Sequence, residues 1–457
     1  MKNDRKGSVI DMDEKQQNQE EKREVRRKRR IRSQILAYVV LILLILAAAT
    51  GIVIAVKQIA AASRQQEQNN KEESQSMIDE MLSGEDELQT PAPTPDPTPE
   101  PVVEMTPEEK LNEIVNAYIA VMPLEDKVAG LFIVTPEAIT GVNTAVKAGE
   151  GTKEALEKYS VGGLIYFKNN IQSANQLKEM IDNTKTYSIH PLFIAVDEEG
   201  GNVSRLISKG LCEKVDSAAV IGQTGDPANA YTAGTVIGSA MNSYGFNLDF
   251  APVADISSVE NSYMGDRTYG ADAQTASPFV TAMMQGLQAQ QITACLKHFP
   301  GNGATTADPH TGIATSDRTA EQFRAEEFAV FKAGIDAGAK MIMISHMAAP
   351  ALTGSNNEPC SLSKAVVTDI LRNELGYDGV VITDALNMGA ISEYYSSKDA
   401  AIYALQAGCD MLLMPENFEE AYNGVLEAIH EGYISEERID DSLRRIYRIK
   451  LADRLEE

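Results

Sequence analysis

The sequence predicts an α/β protein: a (β/α)8 barrel of the TIM type, preceded by a single transmembrane helix and a proline-rich stalk. Three observations predict it. Eight short, mostly apolar runs recur between residues 128 and 414, amphipathic stretches separate most of them, and five of the runs end in polar or charged residues. Continuously apolar runs suit parallel strands buried on both faces. Strands alternating with helices give a parallel sheet, and closing that sheet brings the C-terminal ends of its strands to one mouth. A doubly wound open sheet is the alternative, but no GxGxxG or GxxxxGK[ST] follows any run, which counts against a nucleotide-binding sheet.

Residues 1–34 form a basic tail, with 12 Lys and Arg against 7 Asp and Glu. Residues 35–56 follow without a charge, long enough to cross a bilayer as a helix. The basic tail keeps the N-terminus in the cytoplasm and sends the rest outward, so a single-pass cell-membrane protein with an extracytoplasmic catalytic domain is expected. The length of the apolar stretch and of the segment before it favours an uncleaved anchor over a signal peptide. Residues 57–105 read as a disordered linker. Polar residues dominate 64–90, and Pro91, Pro93, Pro95, Pro97, Pro99 and Pro101 then alternate with small or acidic residues, a composition that forms an extended spacer and no core.

Residues 106–457 carry the barrel domain. A helix over 107–121 comes first. The predicted strands are 128–134, 161–167, 192–197, 248–255, 292–298, 340–346, 380–384 and 410–414. Ser173, Asp226 and Ser363 are helix-start signals, and helices near 418–431 and 435–451 close the chain. Beyond the anchor the chain holds 29 basic against 59 acidic residues, so nucleic acid is excluded as a partner. Four cysteines without CxxC spacing give neither a disulfide scaffold nor a zinc site. No metal and no cofactor is expected.

Chemistry concentrates at the strand ends. The fifth run leads into Lys297 and His298, then a Pro-Gly-x-Gly turn and a loop with Asp308 and His310. The chain has five histidines, and two of them fall here. A carboxylate on one imidazole nitrogen orients the ring and leaves the other to act as acid or base, although Asp308-Pro309 also reads as an ordinary turn. Asp384 ends the seventh run, held by a rigid strand as a nucleophile requires, or serving as a helix cap. Lys297 and His298, if they face a pocket, read as donors for substrate hydroxyls, with a satisfied core histidine as the alternative for His298. Arg267 offers several directed donors, and Asp197 and Arg205 flank the Gly200-Gly201 turn. His346 reads as core or supporting; His190 and His430 read as surface residues.

These segments resemble the catalytic domain of glycoside hydrolase family 3, in its single-barrel β-N-acetylglucosaminidase branch. The matching pieces, in the family's order, are Val-Asp-Glu-Glu-Gly-Gly from 196, Asn-Leu-Asp-Phe-Ala-Pro-Val-Ala-Asp from 247, Gly-Asp-Arg-Thr-Tyr-Gly from 265, Lys-His-Phe-Pro-Gly-Asn-Gly from 297, Asp308-Pro309-His310 and Ile-Thr-Asp-Ala-Leu from 382. The resemblance implies that Asp384 is the nucleophile of a retaining double displacement. It implies that His310, paired with Asp308, is the acid/base where most retaining enzymes use a second carboxylate. Asp197, Arg205, Arg267, Lys297 and His298 match positions that bind the terminal sugar. The implied partner is a carbohydrate ending in N-acetylglucosamine, of the kind found in cell-wall fragments. Asn302, Pro309 and Asn202 stand where the family usually has His, Ser and Arg. A β-glucosidase, a phosphorylase or a tethered non-catalytic sugar sensor remains open on the same barrel.

Overall fold

The computed structural model describes residues 105–308 and 312–452. The predicted basic tail and anchor, and the linker up to residue 104, lie outside the described residues. Among the described residues no helix is long and apolar enough to cross a membrane.

The eight strands are β1 Phe132–Val134, β2 Gly163–Ile165, β3 Phe193–Val196, β4 Leu248–Asp249, β5 Thr293–Phe299, β6 Met341–Ile344, β7 Val380–Ala385 and β8 Met411–Leu413. They pair in sequence order into a closed barrel. Every pairing is parallel, and β8 closes on β1 through Phe132 opposite Leu412. All eight predicted runs contain a strand. Their apolar side chains face either the barrel lumen or the surrounding helices, so the core is continuous across both faces of the sheet.

Six strands are shorter than their predicted runs, and two of them, β1 and β4, have a clear local reason. Val128 and Ala129 end a short helix, Leu124–Ala129, that Pro123 precedes and Gly130 stops. β4 keeps two residues of the predicted eight, because Pro252 has no N–H to give a ladder. Its neighbours still lean on β5: Lys297 N–H bonds Pro252 O at 3.2 Å and Ala254 N–H bonds Lys297 O at 2.6 Å.

The helices begin where local chemistry caps them. Thr106 and Glu109 form a reciprocal box that starts Pro107–Ala120, and Ser173 with Gln176 does the same for Ala174–Tyr187. Asp226 accepts Ala228 N–H at 3.0 Å at the start of Ala228–Tyr244. Ser363 acts through its carbonyl, which takes the Val366 and Val367 N–H groups ahead of the π-helix Ala365–Glu374. Helices Ala228–Tyr244 and Ala273–Gln288 pack backbone to backbone: a Cβ at Gly234 would meet Met283 O at 2.4 Å, and one at Gly286 would meet Tyr231 O at 2.3 Å.

Two ladders slip register, β5 on β6 between Leu296 and Phe299, and β7 on β8 between Ile382 and Ala385. The first slip holds Lys297 and His298, the second Thr383 and Asp384. Thr383 Oγ1 accepts Leu413 N–H at 3.1 Å, replacing a main-chain partner at the slip. Such irregularities re-aim side chains that a regular ladder would point at neighbouring strands.

The opposite end of the barrel is tied by Asp410, which is 0% exposed. It pairs with Arg372, accepts Val381 N–H at 2.9 Å and Ser442 Oγ–H at 2.8 Å, and lies 3.4 Å from Arg445. The closing helix Glu436–Lys450 is thereby joined to β7 and β8. Asp410→Ala leaves buried guanidinium groups uncompensated and should cost about 3–5 kcal/mol in urea unfolding, with KM for any substrate unchanged. A cost under about 1 kcal/mol, the range of an exposed ion pair, would refute this role.

Candidate active site

A cavity of about 380 Å³ opens at the C-terminal ends of the strands, within the size range of a small-ligand pocket. Asp197, Arg205, Arg267, Lys297, His298 and Asp384 all line it. Six of the eight residues singled out in the sequence therefore converge, although they are spread over nearly two hundred positions.

The chain builds the first wall from β3 and β5. Asp197 and Glu199 follow β3 two residues apart, so an extended backbone turns both to the same side. Lys297, 2% exposed, reaches them from β5, with Nζ 2.8 Å from Asp197 Oδ1 and 2.7 Å from Glu199 Oε1. Arg267 grips Glu199 with two parallel bonds, Nε to Oε2 at 2.9 Å and Nη2 to Oε1 at 2.7 Å. Arg205 Nη2 lies 3.4 Å from Asp197 Oδ2, and its guanidinium sits 5.7 Å over the Phe167 ring.

These groups fix one another's charge. Burial by itself would push Glu199 up, but Lys297 and Arg267 overcome it and bring its carboxyl down to about 2. Burial would pull Lys297 down, and Asp197 and Glu199 hold it above its ordinary value. Burial likewise opposes the charge on Arg267, and its bond to Glu199 raises it instead. Glu199 stays anionic, and Lys297 and Arg267 cationic, across the physiological range.

The second wall is held by Asp255, 1% exposed. Its Oδ2 lies 2.7 Å from His298 Nδ1 and also accepts His298 N–H at 3.2 Å. Its Oδ1 accepts Asn302 N–H at 2.6 Å. An ionised carboxylate only accepts, so Nδ1 carries the proton and Nε2 is the nitrogen left over for a ligand. Asn302 also accepts the Ser345 hydroxyl and joins His298 in lining the cavity.

Asp384 stands at the end of β7, half-buried, with Oδ1 accepting the Ala385 N–H at 2.8 Å. Burial raises its carboxyl, but His298, His346, the Ala385 N–H and Lys297 together bring it below the ordinary value. An ionised carboxylate on a rigid strand end is the form that can attack. His346 is fully buried, and burial lowers its pKa and keeps it neutral. Its Nε2 lies 3.0 Å from Ala385 O, which can only accept, so Nε2 carries the hydrogen and Nδ1 accepts from Ser361 Oγ at 2.7 Å. His346 thus braces the strand beside Asp384.

Asp308 is half-buried on the loop that follows β5. His310 lies outside the described residues. The Tyr263 hydroxyl hydrogen-bonds Asp308, and burial followed by that carboxylate pushes the phenol up to about 12. Tyr263 lines the cavity, and its N–H bonds Thr305 O at 3.1 Å. The Asp308 loop is therefore tied to the cavity wall at two points. Of the histidines expected at the surface, His430 is exposed, but His190 is buried, with Nδ1 2.7 Å from Tyr118 Oη. It sits just before β3, where helix Pro107–Ala120 covers it.

Sequence reasoning places Glu199 and Asp255 among the polar strand ends without giving either a role, and misses Tyr263 and Asn302 as site residues. Glu199 was findable from its two-residue spacing to Asp197. Tyr263 and Asn302 carry no local signal, since each acts through a partner distant in the chain. Among the described residues no cluster of His, Cys, Asp or Glu could hold a metal ion.

Residues 123–449 match the model of the glycosyl hydrolase family 3 N terminal domain. The chain is 31% identical over 326 residues to the β-hexosaminidase A of Pseudoalteromonas piscicida, covering 65% of this chain and 54% of that protein. It is 32% identical over 278 residues to a β-hexosaminidase of Chromobacterium violaceum, covering 60% and 76%. Among solved structures it is similar to a family 3 β-N-acetylglucosaminidase from Paenibacillus sp. str. FPU-7, with a TM-score of 0.69 at 32% identity, covering 74% of this chain and 64% of that one. The chain thus spans about half the length of the Pseudoalteromonas relative.

The low pKa of Glu199 gives a prediction with a definite sign. Its carboxyl falls from 4.5 to about 2 on folding, so its stabilisation is complete above pH 4.5 and fades as pH drops toward 2. The unfolding free energy of the native chain minus that of Glu199→Gln should be constant above about pH 5 and shrink by up to about 3 kcal/mol as pH falls to about 2. A difference that stays flat over that range contradicts the ion network.

Proposed function

Because this chain belongs to glycosyl hydrolase family 3, we propose that it is a retaining, exo-acting β-N-acetylhexosaminidase. It removes a terminal N-acetylglucosamine from cell-wall fragments or related glycans through a covalent glycosyl-aspartate. The observation that carries this reading is the meeting of Asp384, kept ionised, with a fixed wall of carboxylates and cations in one cavity roomy enough for a sugar ring. Acidic and cationic side chains already paired to one another hold neighbouring hydroxyls by donating and accepting at fixed positions, and none has to reorganise as the sugar binds.

In this mechanism Asp197, Arg205, Arg267, Lys297 and His298 hold the hydroxyls of the terminal ring. His310, oriented by Asp308, protonates the glycosidic oxygen as Asp384 attacks the anomeric carbon. The leaving alcohol departs with that proton, and an ester joins the sugar to Asp384. His310 then takes a proton from water, which opens the ester and restores Asp384. Tyr263, bonded to Asp308, anchors the loop that carries the acid/base.

The reading extends to the rest of the chain. Residues 35–56 anchor it in the membrane, 57–105 space it from the surface, and the domain over 106–457 works outside the cytoplasm on glycans of the wall. Names of relatives as β-hexosaminidases support the activity; charge and composition of the N-terminal hundred residues support the placement.

Release of nitrophenol from an aryl β-N-acetylglucosaminide, compared with the matching glucoside and with and without phosphate, tests the reaction. Asp384→Ala should lower kcat by at least about 10⁴-fold, and a fluorosugar should add its mass to the native chain but not to this variant. His310→Ala should cost about 10²–10⁴-fold for a poor leaving group and far less for a dinitrophenyl one. Equal losses for both leaving groups would sink the acid role.

A further inference from the structure

Glu198 is the buried acid of the Asp197-Glu198-Glu199 triplet, and nothing in the mechanism above uses it. It is 0% exposed. Alternation along the extended segment sends Asp197 and Glu199 into the cavity and Glu198 away from it. Its carboxylate turns beneath the loop that follows and takes three consecutive backbone donors. Oε2 accepts Arg205 N–H at 2.6 Å and Leu206 N–H at 2.7 Å, and Oε1 accepts Ile207 N–H at 3.2 Å. Its own N–H is held by Asp249 Oδ1 at 2.9 Å.

The loop between these two points is a tight reversal. Glu199 N–H bonds Val203 O at 2.9 Å, and Gly201 N–H bonds Val215 O at 3.1 Å. Gly200 and Gly201 take φ values of 86° and 56°, conformations that suit glycine. The chain thus leaves β3, turns back, and is clamped at 205–207 by a residue only seven to nine positions earlier.

Arg205 is the residue this clamp serves. Its link to Asp197 is long, 3.4 Å, and its Nε is buried with no partner. A long contact and a stack over Phe167 do not fix so flexible a side chain, whereas the Glu198 carboxylate, accepting Arg205 N–H at 2.6 Å and Leu206 N–H at 2.7 Å, fixes the backbone at and just after it. The unpartnered Nε means that this nitrogen adds no bond of its own to hold the side chain in place.

We propose that Glu198 is a positioning residue for substrate, acting through the Arg205 backbone to hold the Arg205 guanidinium at the cavity wall, toward a hydroxyl of the bound sugar. The proposal rests on the hexosaminidase reading for its substrate, and on the clamp alone for its geometry. Removing the clamp loosens Arg205 without touching Asp384 or the acid/base, so the loss appears mainly in KM.

The test is a double-mutant cycle on the full chain with nitrophenyl β-N-acetylglucosaminide. Arg205→Ala and Glu198→Ala should each raise KM about tenfold or more with kcat held within about threefold, and the double variant should be no worse than Arg205→Ala. Glu198→Gln, which keeps shape and one acceptor, should recover most of the loss, and it carries the cycle if Glu198→Ala does not fold. Losses that multiply in the double variant, or a Glu198→Gln enzyme as poor as Glu198→Ala with kcat falling alone, overturn the proposal. A native chain without turnover would defeat the hexosaminidase reading by itself. A crystal structure of Glu198→Ala then decides: displacement of Arg205 from Asp197 supports the clamp, and an unmoved Arg205 overturns it.

Discussion

The site depends on one buried ion network, Asp197–Lys297–Glu199–Arg267, that joins the end of β3 to the end of β5 and to the loop after β4. Two cations and two carboxylates taken from water together are tolerable only if each finds its partners. Here Glu199 is shared by Lys297 and Arg267, and Lys297 is shared by Asp197 and Glu199. No member can be neutral without stranding another, so the network sets both the shape of the cavity floor and its charge. That is an arrangement suited to a ligand of many hydroxyls and no net charge, which needs donors and acceptors side by side.

The sheet gives up regularity where the chemistry sits. Six ladders keep their register, and the two that slip hold Lys297–His298 and Thr383–Asp384. A regular strand end would alternate these pairs between lumen and helix layer. The first slip lets the adjacent Lys297 and His298 serve the same cavity, and the second turns Asp384 into it while Thr383 stays buried; Asp255 and the Thr383 hydroxyl supply bonds that the ladders lack. The far end of the barrel does the opposite work: Asp410 and its arginines lock the closing helix to the strands, and none of them lines the cavity. Stability and chemistry are divided between the two ends, as the barrel geometry permits.

Much of this was legible in the chain, for reasons that can be stated residue by residue. The eight strands announce themselves because parallel strands buried on both faces must be apolar throughout. Lys297, His298 and Asp384 announce themselves because a charge at the end of such a run is costly unless used or paired. The limits are equally physical. The run at 248–255 reads as one strand, but Pro252 cannot donate to a ladder, so it ends after Asp249. His190 reads as surface because its partner Tyr118 lies 72 positions away. Glu198, between two site acids, looks identical to them in sequence and faces the other way in space.

By itself the sequence determined the barrel, the strand ends that carry function and most of the side chains that meet there, because burial and periodicity are local properties that composition records. Only the tertiary structure decided which acid pairs with which base, which nitrogen of His298 and of His346 bears the hydrogen, and that Glu198 supports a loop while Glu199 faces the cavity. Those outcomes turn on distances of about 3 Å between residues far apart in the chain, the scale at which hydrogen bonds and ion pairs form, and no one-dimensional pattern encodes them.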